Sequence, residues 1–321
     1  MTENFQFQKI DRITELCTGM SASRIIPLGQ GATSAAWYVE NERRAVIVRM
    51  VPLNTNRPVT YQSEFTILRQ LKAKGCLVPK PLLNNAECPN QLTDIPEPWA
   101  VTEVINGQAI KKGQLSNQTA RELGSLLATV HALPVRNYGR LTEQQTGLKG
   151  LQSDHLSGIR ARWCWAPIWP FDDCRLETHP MADAEIDFIA RLDALKPKLL
   201  EAITQDQAVL THSDLHGEHI FEQDGRLTGV IDFGASFISI PAWDFAVMAY
   251  YHGWASVEES LFGYTSSAQA QDHQLKQAQK LALAVGLYKL AKGAESQKPS
   301  AKLIRIVNFV KQSLETLEKN L

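Results

Sequence analysis

The stretch His212-Ser213-Asp214-Leu215-His216-Gly217-Glu218-His219, followed eighteen residues after Asp214 by Asp232-Phe233-Gly234, decides the reading of this chain. Transfer of a phosphoryl group needs one carboxylate beside the attacking hydroxyl, to orient it and take its proton. It also needs metal ligands set against the nucleotide phosphates. A loop anchored by a strand presents Asp214 and, five residues on, His219. The segment Ile220 to Ile231 then reads as a β-hairpin turning at Asp224-Gly225, which brings Asp232 to the same metal.

Order, spacing and intervening hairpin together match the protein-kinase pattern H-x-D-L-x-x-x-N … D-F-G, with His219 where Asn is usual. On these residues the chain resembles the aminoglycoside phosphotransferase and choline kinase superfamily, the small-molecule relatives of protein kinases. The form H-x-D-L-H-x-x-H-I is most similar to branches with His in place of Asn, as in some aminoglycoside and macrolide phosphotransferases. The resemblance runs from about Ile25 to about Tyr264 and is strongest over 209–245.

The resemblance implies Asp214 as catalytic base and His219 with Asp232 as magnesium ligands. Imidazole is softer than the oxygen donors magnesium prefers, so manganese is an alternative. It also implies Asp244, in Pro241-Ala242-Trp243-Asp244, as an acidic brace of the catalytic loop, with His212 in structural support. A helix-N-terminal carboxylate is the plain reading of Asp244, and both can hold. The plain reading of His212 and His216 is hydrogen bonding to the loop backbone.

Upstream, Leu28-Gly29-Gln30-Gly31-Ala32-Thr33-Ser34 precedes two strand-like runs, Ala35 to Val39 and Ala45 to Met50. In a kinase-like lobe, Gly29, Gly31 and Ser34 would let backbone N–H groups approach phosphate oxygens; alone, the stretch is an ordinary hairpin turn. Ala45-Val46-Ile47-Val48-Arg49 aligns with the V-A-I-K strand, with Arg49 in the Lys place and Glu64 on the next helix as its carboxylate partner. The alternative is a solvated Arg at a strand end. Glu103, Val104 and Ile105, just before Asn106-Gly107, stand where the superfamily has its interlobe hinge and holds the base of ATP or GTP.

An acceptor platform is expected in the Trp-rich stretch 160–173, where Trp165 offers a ring and Asp172 and Asp173 offer charge to a cation or sugar hydroxyls. A packing staple with solvated carboxylates explains that stretch equally well.

The expected fold class is α+β: a bilobal protein-kinase-like fold with a β-rich nucleotide-binding lobe at 1–105 and a larger, mostly helical catalytic and acceptor-binding lobe at 106–321. Helices are expected at 7–18, Tyr61 to Lys74, Asn117 to Leu133, Ala182 to Ile203 and from Trp243 onward. Strands are expected at Trp99 to Ile105 and Ala208 to Thr211, and 135–180 reads as irregular.

With 321 residues and 44% hydrophobic content the chain can fill two lobes. A formal net charge of -1 excludes a general nucleic-acid binder. Five cysteines without a C-x-x-C pair exclude a disulfide framework or zinc cluster. Neither a signal peptide nor a membrane-length apolar run is read, so a cytoplasmic protein without membrane partners is expected.

The expected activity is transfer of the γ-phosphate of ATP or GTP to a hydroxyl of a small molecule: an aminoglycoside, macrolide or other antibiotic, or a metabolic alcohol or sugar. A metal-dependent hydrolase built on His212, Asp214, His216 and His219 is the competing reading, and it leaves Arg49, Glu64 and the Gly loop unexplained. A pseudoenzyme conflicts with the intact Asp214 and Asp232. A peptide kinase lacks room, because only a few residues separate Gly234 from Pro241.

Overall fold

Strand alternation builds the first part of the chain. In a computed structural model, which describes residues 2–31, 33–52, 60–110, 115–142, 147–162, 187–202, 206–294 and 301–320, strands β1 (Arg24–Gln30), β2 (Ala35–Glu40) and β3 (Ala45–Met50) form an antiparallel meander. Helix α1 (Thr2–Thr18) precedes it, and helix α2 (Gln62–Ala73) and strands β4 (Pro81–Asn84) and β5 (Trp99–Glu103) follow. The sheet order is β1-β2-β3-β5-β4. Along β3, Val46, Val48 and Met50 are buried, as a period of two requires for a strand with one covered face. They share a core with Ile10, Ile13, Trp37, Val39, Ile95, Trp99 and Val101.

β1 departs from the expectation of a simple Gly-containing turn. It is a seven-residue edge strand carrying Pro27 and a register shift between Pro27 and Gly29. Pro is tolerated there because an edge strand leaves one row of N–H groups unpaired.

The chain divides into two compact units. One comprises Met1–Gly107, Glu143–Thr146 and Thr228–Gly234, and the other Gln108–Thr142, Gly147–Leu227 and Ala235–Leu321. The second opens with β6 (Gln108–Ala109) and α3 (Asn117–His131), which is capped by the Ser116 side chain accepting from Thr119 N–H. Residues 135–162 are not irregular, contrary to expectation. They hold β7 (Val135–Arg136), β8 (Tyr138–Leu141), β9 (Leu148–Gln152) and α4 (His155–Arg162). These strands are too short to show a period. Their close approach rests on glycine: a Cβ on Gly150 would lie 2.1 Å from the Tyr138 carbonyl oxygen.

Helix α5 (Phe188–Ala202) and strands β10 (Val209–Thr211), β11 (Ile220–Gln223), β12 (Arg226–Val230) and β13 (Phe237–Ser239) come next. The turn between β11 and β12 is at Asp224-Gly225, both with positive φ (53° and 70°), as a tight hairpin requires. One sheet runs β10-β13-β8-β9-β7. Helices α6 (Ala242–His252), α7 (Trp254–Tyr264), α8 (Ala268–Ala294) and α9 (Ala301–Asn320) complete the unit. Nearly every residue of α6 is buried. On α9, Ile306, Val310, Leu314 and Leu317 recur at helical spacing and are buried. Among the described residues, no helix is long and apolar enough to cross a membrane.

Candidate active site

In the first unit, β3 delivers Arg49 and the first turn of α2 delivers Glu64. The Arg49 Nη2 to Glu64 Oε2 distance is 2.7 Å, with the two side chains 16% and 5% exposed. Arg49 Nη1 also lies 3.8 Å from Asp232 Oδ1. Burial alone would lower the guanidinium pKa, but the Glu64 and Asp232 carboxylates outweigh it and raise it. Tyr61 lies under the guanidinium, 5.0 Å from Arg49 Cζ to the ring centroid, and burial pushes its phenol up to about 12. Arg49 is thus a fixed, permanently charged group rather than a solvated strand end.

Asp232 adopts φ 63°, a left-handed conformation rare for a residue with a side chain. Its Oδ1 accepts from Gly234 N–H at 3.3 Å, and a Cβ on Gly234 would come 3.1 Å from that oxygen. Gly29 has φ 140°, and Gly31 N–H donates to Ser34 C=O at 2.8 Å, closing the loop between β1 and β2. Glu103 ends β5, its N–H donating to Lys80 C=O, and Val104 and Ile105 follow outside regular structure. Ile105 packs where a Cβ on Gly229 would stand, 2.6 Å from its Cγ2.

In the second unit the sequence 211–219 leaves β10 as a loop gripped by α6. Asp244, fully buried in the first turn of α6, accepts from the backbone N–H of His212 (2.8 Å) and of Ser213 (2.7 Å). His131 Nε2–H donates to the same carboxylate at 3.1 Å, and the Tyr264 hydroxyl donates to His131 Nδ1 at 3.1 Å. Asp244 therefore serves both as helix-start carboxylate and as loop brace. His212 accepts from Asp214 N–H through Nδ1 (3.3 Å), and Ser213 has φ 71°.

The Asp214 side chain stands partly exposed at the end of this loop. Its Oδ1 accepts from the Tyr251 hydroxyl at 3.1 Å and lies 3.7 Å from Lys289 Nζ, which itself donates to the Tyr251 oxygen at 2.6 Å. Burial by itself would push the Asp214 carboxyl up. Lys289, then the imidazoles of His219, His216 and His212, outweigh it and hold the carboxyl below the usual range. His216 is pushed down to about 4 by burial and by His219, whose ring centroid is 3.6 Å away. Tyr251 and Lys289 were not singled out in the sequence. They lie on α6 and α8, where each reads as an ordinary helix residue.

His219 donates from Nδ1 to the Asp214 carbonyl at 2.8 Å. A carbonyl can only accept, so that bond places a proton on Nδ1. This is the outer-shell arrangement common to ligating histidines. Ligand atoms of Asp214, His216 and His219 all lie within 4.8 Å of one another. Trp165, Asp172 and Asp173 lie outside the described residues, as do 182–186 and 203 of the helix expected at Ala182 to Ile203.

Solved structures with similar architecture include aminoglycoside phosphotransferases. The ternary complex of aminoglycoside phosphotransferase APH(4)-Ia with AMP-PNP and hygromycin B aligns with TM-score 0.60 at 13% identity, covering 97% of each chain. The GDP and kanamycin complex of APH(2")-IIIa aligns with TM-score 0.61 at 15% identity, covering 98% of each. The GDP complex of aminoglycoside 2'-phosphotransferase-IIIa gives 0.60 at 13%, covering 96% of this chain and 98% of that one. The fold is therefore that of the kinase-like small-molecule phosphotransferases. No curated protein sequence matches the chain significantly. The model of the phosphotransferase enzyme family matches residues 24–276, and the chain belongs to that family.

Proposed function

We propose that this protein transfers the γ-phosphate of ATP or GTP to a hydroxyl group of a small molecule, with Asp214 as the base. The observation that carries the reading is the Asp214 carboxylate itself. It is ionised and partly exposed, on a loop whose preceding two N–H groups are bonded to buried Asp244. A base held this way can accept an acceptor hydroxyl's proton without the loop moving. Arg49, paired with Glu64, supplies a fixed cation for the nucleotide phosphates, and the loop at Gly29, Gly31 and Ser34 supplies backbone N–H groups. The backbone at Glu103, Val104 and Ile105 takes the base.

His219 and Asp232 are the proposed ligands of magnesium or manganese, which when bound would neutralise phosphate charge. A cytoplasmic location accords with this nucleotide chemistry. Support for an antibiotic acceptor comes from the hygromycin B and kanamycin bound by the structural neighbours.

The test is a panel of aminoglycosides, macrolides, choline-like alcohols and sugars, assayed with ATP and with GTP, for wild type and Asp214→Asn. Wild type phosphorylates at least one hydroxyl compound. Asp214→Asn binds nucleotide and loses transfer by about 10²–10⁴-fold, the usual worth of a general base. Transfer near the wild-type rate in that variant would show the base to be elsewhere.

A further inference from the structure

We infer that Lys289 and Tyr251 are positioning residues for the base: together they pin Oδ1 of Asp214 and leave Oδ2 to receive the acceptor's proton. The inference rests on the reading of Asp214 as base. It goes beyond that reading by assigning a role to two helices that carry no motif.

A carboxylate can rotate about its last bond, and a base must present one oxygen lone pair to the acceptor in a narrow range of directions. Here the two oxygens of Asp214 are treated differently. Oδ1 accepts the Tyr251 hydroxyl at 3.1 Å and faces the Lys289 ammonium at 3.7 Å. Among the described residues, the polar group given against Oδ2 is His216 Nε2, at 3.8 Å, beyond hydrogen-bond range. Lys289 and Tyr251 are also joined to each other at 2.6 Å, so the three groups form a closed triangle. With its proton directed at Asp214, the phenol oxygen is free to accept from the ammonium, and each bond supports the other.

Both anchors are themselves held. Lys289 lies 4.9 Å from the ring centroid of Tyr251 and 5.8 Å from that of Tyr250, within cation–π range. The Tyr250 ring meets Phe309 of α9 edge-on at 5.4 Å. The cation is therefore seated on an aromatic shelf rather than waving in solvent, and its side chain is 19% exposed. A solvated helix lysine would pair with a carboxylate one turn away, as Lys276 does with Asp272. Lys289 instead crosses to a loop that precedes it by most of the helical segment.

The experiment measures kcat and KM for Lys289→Met, Lys289→Arg, Tyr251→Phe and Asp214→Asn, with melting temperatures alongside. The acceptor is the panel compound that wild type turns over fastest, or water, read as phosphate release from ATP and GTP. Lys289→Met is expected to lower kcat by about 30-fold with nucleotide KM within about twofold, the signature of an interaction that matters after binding. Lys289→Arg, which keeps the cation, recovers most of the loss, and Tyr251→Phe lowers kcat by about tenfold. Lys289→Met in an Asp214→Asn background produces no further loss, because both act through one carboxylate.

Wild-type kcat in Lys289→Met overturns the inference. So does a loss that Arg fails to rescue and that tracks a lowered melting temperature, since that marks a packing role. If Asp214→Asn remains active, the base reading itself fails. If Asp214→Asn is dead while Lys289→Met is unaffected, only this inference fails.

Discussion

Arg49 and Glu64 illustrate what single residues decide in this protein. The pair is largely buried and close, so removing one partner leaves a charge with inadequate compensation. Glu64→Gln is expected to raise the nucleotide KM by about tenfold, because Arg49 then turns toward Asp232 instead of the phosphates. Titration of ATP and GTP binding by calorimetry checks this, and unchanged affinity would contradict it. At His219, replacement by Asn would exchange the nitrogen of the proposed metal ligand for an oxygen donor. Rates supported by Mn2+ should fall relative to those supported by Mg2+ in His219→Asn, measured side by side at saturating nucleotide.

The pairing of Arg49 with Glu64 was legible in the sequence, and Asp214 and Asp232 stood out there as candidates, because spacing and charge type survive without coordinates. Lys289 and Tyr251 were illegible for the opposite reason. Tyr251 is 37 residues from Asp214, and neither helix position has a local pattern that distinguishes it from surface or core.

At the scale of elements, helix α6 holds the loop by its backbone. Asp244 satisfies two loop N–H groups and His131 at once. Asp244→Ala would strand three buried donors and should cost about 3–5 kcal/mol of unfolding free energy, read from urea titration. Asp244→Asn keeps the shape but gives up the charge, and should cost less.

Helices α3 and α7 are fitted as closely. A Cβ on Gly124 would stand 1.8 Å from the Ser260 carbonyl oxygen, and one on Gly263 would stand 1.9 Å from that of Arg121. Gly124→Ala should therefore destabilise by about 1–3 kcal/mol despite alanine's better helix propensity, a sign that denaturation midpoints will test. The long helices and the hairpin were readable because periodicity and turn chemistry are local. The strands β7, β8, β9 and β13 were not, since each is five residues or fewer and depends on pairing with other strands.

For the whole molecule, acid should act through His155, with His216 contributing in the same direction. His155 is buried beside Ser239, and burial pushes its pKa down from 6.5 to about 4. The unfolded chain binds the proton more readily than the folded one between those values. Stability is thus fully present above about pH 6.5 and declines as pH falls toward 4, by up to about 3 kcal/mol. Urea midpoints at pH 7 and pH 5 should differ less in His155→Gln than in wild type. Equal slopes would assign the acid sensitivity to another group.

The division of the chain into units has a bearing on how it is made. Residues Thr228–Gly234 belong to the same unit as Met1–Gly107. They are tied into it by Val230 N–H donating to Leu77 C=O at 2.9 Å and by the Thr228 hydroxyl donating to Asn106 C=O at 2.6 Å. During synthesis the first unit cannot be completed when its own strands emerge from the ribosome. It waits until the segment bearing Asp232 follows, with most of the other unit already translated. The amino-terminal portion is therefore not a detachable cassette: a fragment ending at Gly107 would leave the exit tunnel lacking both a structural tie and the acidic neighbour of Arg49.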